Sequence, residues 1–293
     1  MCTRKGGVYS TAAVGSLKAT NTVRFAWTVL ASNAMDHVIS AAPFAAGLGI
    51  GMLICLELGR RLGLHRLAKD PKAEMSNFGV VEGSVLGLYG LLIAFTFSGA
   101  SARFDERRQL IAEEANAIGT AYLRVDLLAT ESQPALREQF RSYVDSRLDV
   151  YREVPNIEAV KARLAKSARL QTEIWQAAVA ATRLPGAHSD AAKLLLPALN
   201  EMIDITTTRT MAARIPPPLI IFALLFAMAL ACSTMAGYAM AVSSRRSWLH
   251  LFAFIAASVI AGYVVLEIEY PRMGFIRLDA YDQVLIEVRE SMQ

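Results

Sequence analysis

The chain has 293 residues, is 54% hydrophobic and has a mean hydropathy of +0.35, which is too apolar for an ordinary soluble domain and indicates a membrane protein. Its net charge is +4, but basic and acidic residues alternate through the middle of the chain, whereas nucleic-acid-binding proteins cluster basic residues on one face. The lipid bilayer is therefore the predicted partner, and no nucleic acid is expected.

The cysteines and histidines do not form a recognisable metal-binding or disulfide pattern. The three cysteines are separated in the sequence, and the four histidines lack ligand spacing. No Gly-rich phosphate loop and no GxSxG motif accompanies them. We predict no metal, no other cofactor and no catalytic residue, so an enzyme is the least supported class.

Residues 1–34 differ from the rest of the chain, because they are polar and irregular with only a short apolar run at their end. Three interpretations fit: a flexible tail, a poor signal peptide, or an upstream start codon with Met35 as the true beginning. We favour a disordered tail or a start-site artefact over a functional leader.

Four segments reach the roughly 20 apolar residues that cross a hydrocarbon core of about 30 Å. The first is followed at once by two arginines, and a tryptophan opens the last, as expected at a membrane interface. The predicted spans are Val38–Gly59 and Phe78–Ser98 within residues 35–99, and Leu219–Val242 and Trp248–Leu266 within residues 216–268.

Residues 100–215 are predicted to form a soluble helical bundle between spans two and three. Apolar residues recur at intervals of three, four or seven in four successive stretches. Pro155 and Asn156 separate the second stretch from the third, and Leu184–Asp190 has the composition of a turn. Helices of this length with short connections pack as antiparallel neighbours. The fourth stretch begins its apolar stripe at Ala192 and ends at Ile215, before three prolines.

Residues 269–293 are predicted to form a short amphipathic helix after Pro271 and Gly274 end the last span. The apolar positions Leu278, Tyr281, Leu285, Val288 and Met292 follow a helical rhythm. We expect this helix to dock on the bundle.

The second span is predicted to continue out of the bilayer as one unbroken helix, from Phe78 to Val125. Gly99 is the weakest point of this passage, but a single glycine costs only about 1 kcal/mol in a helix and does not break it. The predicted fold is therefore all-α, with four transmembrane helices and a soluble helical bundle inserted between spans two and three.

The charges of the short loops predict the orientation. The loops 60–77 and 243–247 are basic, and short basic loops face the cytoplasm. This places the protein in the bacterial inner membrane with the bundle on the extracytoplasmic side.

Small residues line one face of the second span at intervals of three or four. Small side chains allow two helices to approach closely in lipid, where packing supplies the attraction. The seam consists of Gly79, Gly83, Gly87, Gly90, Ala94 and Ser98. Two interpretations stay open: packing of spans one and two within the chain, or a subunit interface or pore wall in a homo-oligomer.

Ionisable residues at the membrane edges form a second group of candidates, because charge at membrane depth is costly and is usually paired or functional. The residues are Glu57, Glu82, Glu267, Glu269, Arg103 and Arg214. Pairing with arginines at the headgroups is the ordinary interpretation. A charged vestibule that selects ions is the functional one.

A third group of polar residues lies where the first and last bundle helices meet the membrane. Such a cluster is either a structural hydrogen-bonded network or a site for acid–base chemistry or a hard cation. The residues are Glu113, Glu114 and Asn116 in the first helix and Asn200, Glu201, Asp204 and Arg209 in the fourth.

Three stretches together carry a family resemblance: GLLIAFTFSGASARFDERRQLIAEEANAIGTAYLRVDLL, PALNEMIDITTTRTMAAR and LEIEYPRMGFIRLDAYDQVL. They resemble the bacterial bestrophin-like domain proteins, a family of undefined activity. The resemblance implies the layout of bestrophins, which are oligomeric anion channels with four spans and a helical domain between spans two and three. The Asp-rich calcium clasp of bestrophins has no counterpart here, and their helical domain is cytoplasmic, so the resemblance transfers architecture and no functional residue.

Two functional hypotheses follow. The first is an oligomeric, bestrophin-like ion channel assembled through the second span. The alternative is a membrane-anchored sensor or scaffold whose bundle binds a ligand or partner and transmits a shift into the bilayer. A closed ring of subunits favours the channel, and a monomer in detergent favours the sensor.

Overall fold

A computed structural model describes residues 41–69, 78–152, 157–214, 217–242, 248–270 and 279–292, with the backbone alone for some residues at helix ends, Arg214 among them. All regular elements in these ranges are helical. The helices are α1 (Ala41–Lys69), α2 (Phe78–Leu123), α3 (Gln133–Arg152), α4 (Ile157–Ala181), α5 (Ala191–Arg214), α6 (Leu219–Val242), α7 (Trp248–Glu269) and α8 (Asp279–Ser291). Four parts of the prediction lie outside the described residues: the tail at residues 1–34, the start of the first span at Val38, the end of the bundle at Ile215 and the loop 243–247.

Four of these helices, α1, α2, α6 and α7, are long and apolar enough to cross a membrane. They match the four predicted spans, with one difference. The helix α1 does not end at Gly59 but continues to Lys69. The two arginines that follow Gly59 are good helix formers, so their charge ends the apolar run without ending the helix.

The helix α2 is a single rod of 46 residues that passes through Gly99 without a break. At 1.5 Å per residue it is about 69 Å long, more than twice the thickness of a hydrocarbon core. A 3-10 turn at Arg124–Leu127 ends it. One helix therefore belongs to two packed regions: the group of candidate spans, called the membrane region, and a helical bundle formed with α3, α4, α5 and α8.

The bundle has a continuous apolar core. Residues from the second half of α2 and from α3, α4, α5 and α8 share it, with Ile118, Phe140, Ile174, Leu199 and Leu285 fully buried. The C-terminal helix α8 packs against α2 and α3. On α5 the buried stripe begins at Ala191 rather than at the predicted Ala192, which is exposed.

The membrane region has its own core, built around α1, α6 and α7 with one face of α2 against them. The closest approach is between α1 and α6. A Cβ atom at Gly59 would overlap the carbonyl oxygen of Thr234, and one at Gly237 would overlap that of Leu56. Only glycine fits at these two positions, because each backbone occupies the place of the other's side chain.

A small third cluster joins the two cores where α2 leaves the membrane region. Ala100 on α2 is fully buried there against Phe222, Val265 and Leu266 from α6 and α7. The residue next to Gly99 is thus held by two other helices, which helps to keep the helix unbroken at its weakest position.

Candidate functional site

The small-residue seam of α2 is uncovered in the single chain. An added Cβ atom at Gly79, Gly83, Gly87 or Gly90 would meet no other atom within 4 Å, and Ala94 and Ser98 are also exposed. The opposite face of α2, which includes the buried Tyr89, packs in the membrane core. The seam therefore points away from the rest of the described chain.

This geometry corrects one of the two interpretations of the seam. Packing of α2 on α1 is wrong, because α1 packs mainly against α6 and also against α7. The glycines of α1 explain why α1 does not pack on α2. Gly59 and Gly63 lie directly against the backbone of α6, so the small-residue face of α1 is already covered. The second interpretation, a subunit interface or pore wall, stays a prediction.

The charges at the two edges of the membrane region differ in burial. Glu57 accepts hydrogen bonds from Arg60 at 2.7 and 2.8 Å and from Arg61 at 2.9 Å, all on α1. This is the headgroup pairing expected for Glu57. Glu82 is half-buried and makes no ion pair with the residues that the structure describes.

At the other edge, Glu269 is a buried carboxylate held by two arginines of α2. Arg103 donates to both of its oxygens at 2.8 to 3.1 Å, and Arg107 donates to its side chain at 3.3 Å and to its backbone carbonyl at 2.7 Å. The neighbouring Glu267 is also buried and is hydrogen-bonded to Tyr263. Arg214 was predicted in this group, and its side chain lies outside the described part of the chain.

The contacts of Glu269 tie the end of α7 to α2 just beyond Gly99. Arg107 is mostly covered and Arg103 is about one-third exposed. A carboxylate without solvent needs such donors, because an unpaired buried charge is very costly. The two arginines are thus committed to Glu269, and this fits the anchoring interpretation of these charges better than an open vestibule.

A second charge network lies in the bundle core and involves four helices. Glu114 on α2 accepts hydrogen bonds from Arg147 on α3 at 2.6 and 3.2 Å, and from Arg209 on α5 at 2.6 Å. Arg209 also donates to Asp282 on α8 at 2.9 Å. Two arginines and two carboxylates make this network neutral, and all four residues are buried.

The network contains two of the seven polar residues predicted near the base of the bundle, Glu114 and Arg209. The other members do not join them. Glu113 accepts a hydrogen bond from Gln109, and Asn200 donates to Asp204 in its own helix. These residues and Asn116 and Glu201 are exposed, because each step along a helix rotates the side chain by about 100° away from the buried face.

Arg147 and Asp282 are the two members that sequence reasoning missed. Arg147 follows Phe140 and Tyr143 at helical intervals on the apolar face of α3, and so occupies a core position. A charged residue at such a position signals a buried partner of opposite charge. Glu114, which stands among apolar neighbours on α2, carries the same signal.

Hydroxyl groups extend the polar layer next to this network. The Tyr143 hydroxyl is 2.8 Å from Thr206 Oγ1 and accepts a 3.1 Å hydrogen bond from Gln171. Burial raises the pKa of Tyr143 to about 12, and nearby Glu114 acts in the same direction. The hydroxyl therefore stays protonated at neutral pH and serves as a structural hydrogen-bonding group.

Catalysis and metal binding gain no support from this arrangement. Each carboxylate of the buried network is neutralised by arginine, and arginine stays protonated in proteins. Among the described residues, no group of three or more His, Cys, Asp or Glu side chains could hold a metal ion.

The sequence profile of the bestrophin-like domain matches residues 62–279, which is most of the chain. This chain belongs to the bestrophin-like family. The match includes α2 to α7, and therefore the seam, the contacts of Glu269 and every member of the Glu114 network except Asp282. No curated protein matches the chain.

Solved structures of low sequence identity share the fold. Two are crystal structures of a bacterial bestrophin homologue from Klebsiella pneumoniae. The one with a tryptophan-to-alanine mutation has a TM-score of 0.61 and 14% identity, and covers 87% of this chain and 97% of its own. The one with a tyrosine-to-alanine mutation has a TM-score of 0.52 and 16% identity, and covers 83% and 97%.

A third crystal structure, of a membrane protein with a proline-to-alanine mutation, has a TM-score of 0.54 and 14% identity, and covers 84% of this chain and 97% of its own. At these identities the likeness concerns the fold. The bestrophin-like chain is thus a multi-pass, all-helical membrane protein with the helical architecture of bacterial bestrophin homologues.

Proposed function

We propose that this bestrophin-like chain assembles into a homo-oligomeric ion channel in which α2 of each subunit faces its neighbours or the central axis. The uncovered seam of α2 carries the proposal. It combines small side chains, an outward direction and a helix that continues from the membrane into water. Family membership and the likeness to bestrophin homologue structures support a channel over an enzyme.

The physical case for assembly rests on the four glycines of the seam. A face made of glycines offers lipid few atoms to contact. Glycine also loses more conformational entropy than other residues when it becomes helical, and within the single chain no packing offsets this cost. A neighbouring helix that approaches closely would restore van der Waals contacts along the face. In the proposed assembly a second copy of α2 is this partner along Gly79–Ser98, within a closed ring of subunits.

The proposed architecture assigns residues 35–99 and 216–268 to the bilayer and residues 100–215 to a water-exposed bundle between spans two and three, with residues 269–293 docked on it. The basic residues in the last turns of α1 favour a cytoplasmic position for that end, and therefore an extracytoplasmic bundle in the inner membrane. A cysteine introduced at Ser189, in the exposed turn before α5, reacts with an impermeant maleimide in spheroplasts in this orientation. A cysteine at His65 on α1 is the opposite-side control, and the reverse labelling pattern would overturn the orientation.

The experiment that tests the channel compares two substitutions of the same kind. Gly83→Leu combined with Gly87→Leu fills the seam, whereas Gly47→Leu adds a side chain to an open position on α1, outside the seam. We expect the wild type and Gly47→Leu to elute as one oligomer and to conduct ions in reconstituted bilayers. The seam variant should lose both properties while keeping its helix content.

The rival function is a sensor or scaffold, and one observation favours it: the Glu114 network ties α3, α5 and α8 to α2, the helix that enters the membrane region. A ligand or partner that shifts the bundle would therefore move α2. A monodisperse monomer in detergent, together with bilayers that stay silent with well-folded protein, would remove the channel and leave this alternative.

A further inference from the structure

The C-terminal end of α1 extends beyond what a bilayer needs. With 29 residues, α1 is roughly 43 Å long, about 13 Å more than a hydrocarbon core. Its basic residues begin at Arg60, after 19 helical residues. The extension stays against α6 as far as Gly63, which packs against Ala241 and Tyr238. The helix thus continues past the apolar span, where the lipid headgroups are expected.

The outer face of this extension continues the lipid-facing stripe of α1. Ile54, Leu58 and Leu62 are 56%, 52% and 61% exposed, and they lie on the side of α1 away from α6. Arg61, His65 and Lys69 follow at helical intervals on the same side and are exposed as well. Apolar and cationic side chains therefore meet on one continuous surface.

The charge of this surface is strongly positive. From Glu57 to Lys69 the sequence has four Arg or Lys residues and one acid, which leaves a net charge of three. Glu57 is shared by Arg60 and Arg61. Arg66 and Lys69 form no ion pair with any residue that the structure describes.

We infer that the basic end of α1, defined as Arg61, His65, Arg66 and Lys69, is a binding surface for the headgroups of anionic phospholipids, whose acyl chains pack on Leu58 and Leu62. The cationic residues match the phosphate headgroup of a lipid, and the two leucines match its acyl chains. Long cationic side chains reach the phosphate level while their stems cover apolar surface, and each one near an anionic membrane strengthens binding. The inference does not depend on ion conduction.

Continuity with the membrane stripe selects lipid over an acidic protein as the occupant. A soluble protein partner could contact only the part of α1 that lies outside the membrane. Here the exposed cationic residues directly continue the exposed apolar residues Ile54, Leu58 and Leu62, so one lipid molecule can contact both. Leu62, at 61% exposure, would also stay in water beneath a purely charge-driven protein contact.

The test uses the full chain in mixed micelles that contain equal amounts of phosphatidylglycerol and phosphatidylcholine. The lipids retained after purification are counted by native mass spectrometry. We expect the wild type to retain phosphatidylglycerol preferentially. Arg66→Gln with Lys69→Gln should lower this preference roughly tenfold, since each cation contributes severalfold at an anionic surface.

A matched control removes the same charge elsewhere. Arg169→Gln with Lys193→Gln neutralises two exposed cations of the bundle and should leave the preference unchanged, while Arg66→Lys with Lys69→Arg should preserve it. Circular dichroism verifies the fold of each variant. Equal retention of both lipids by the wild type, an equal loss in both glutamine pairs, or an unchanged preference in Arg66→Gln with Lys69→Gln would overturn the inference.

Discussion

Arg209 Nη1 lies 2.6 Å from Glu114 Oε2 in the interior of the bundle, where both side chains are almost fully buried. The residues are 95 positions apart in sequence, on helices that both run between the membrane region and the tip of the bundle. The contact fixes the register of α5 against α2. Because Arg147 and Asp282 complete the network, the same contact also sets the positions of α3 and α8.

The first prediction concerns Glu114. Replacement by Gln leaves two buried arginines with one carboxylate, and removal of one partner of a buried ion pair costs about 3–5 kcal/mol. We expect Glu114→Gln to lower the midpoint of thermal unfolding in detergent markedly. Glu113→Gln, on the exposed side of the same helix turn, is the control and should melt like the wild type. Equal midpoints for the two variants would contradict the structural role of the network.

The second prediction concerns the contact of α1 with α6. Gly59→Ala and Gly237→Ala each insert a methyl group where a backbone carbonyl already lies, and overpacking typically costs about 1–3 kcal/mol, occasionally more. Both variants should show lower stability in a denaturant titration in mixed micelles. Gly47→Ala on the open face of α1 is the control, and its stability should not fall. A tolerated Gly59→Ala would show that the two helices can separate at little cost.

The third prediction compares the two arginines at Glu269. Arg107 is 13% exposed and Arg103 is 35% exposed, so solvent screens the Arg103 pair more strongly. In double-mutant cycles with Glu269→Gln, we expect a larger coupling for Arg107→Gln than for Arg103→Gln, which should stay near 1 kcal/mol or less. Stability is measured by thermal unfolding. A larger coupling for Arg103 would mean that burial does not control the strength of these pairs.

The fourth prediction concerns pH. The folded-state pKa of Tyr143 is raised to about 12 by burial, whereas an unfolded tyrosine has a pKa of about 10. Below pH 10 both states keep the proton, and between pH 10 and 12 only the unfolded state loses it. Stability therefore falls across this interval, by about 3 kcal/mol from this residue.

Ultraviolet absorbance of the phenolate tests the pH prediction. The titration curve of the wild type minus that of Tyr143→Phe should show one tyrosine that ionises late, near pH 12 or on unfolding. A difference curve centred near pH 10 would mean that the Tyr143 hydroxyl is accessible to solvent in the folded protein.

Helical periodicity was sufficient to predict most of the fold. The apolar intervals located four spans, the helices of the bundle and an unbroken α2, because local spacing determines which face of a helix is buried. The end of α1 was predicted ten residues early, since an apolar run measures depth in the membrane and not the length of a helix. The similarity to bestrophin-like proteins was also recognisable from three sequence stretches.

Long-range pairing was less predictable. The glycines of α1 and α2 have the same spacing, and nothing local states that those of α1 meet α6 while those of α2 stay uncovered. Likewise, the side chains of Glu114 and its neighbour Glu113 differ only in the direction in which they leave the helix, and one is buried while the other is exposed. The buried network needed the three-dimensional positions of α3 and α8, and Arg147 was overlooked because a charge was not expected on an apolar face.

The interlocking of Gly59 with the backbone of Thr234, and of Gly237 with that of Leu56, limits how the membrane region can change shape. A slide of α1 along α6 by one helical turn would drive side chains into carbonyl groups at both positions. The two helices must therefore travel as a single rigid piece. In the proposed channel, a rearrangement that alters the width of a passage between subunits would then have to arise in α2 and α7, which lack such backbone interlocking.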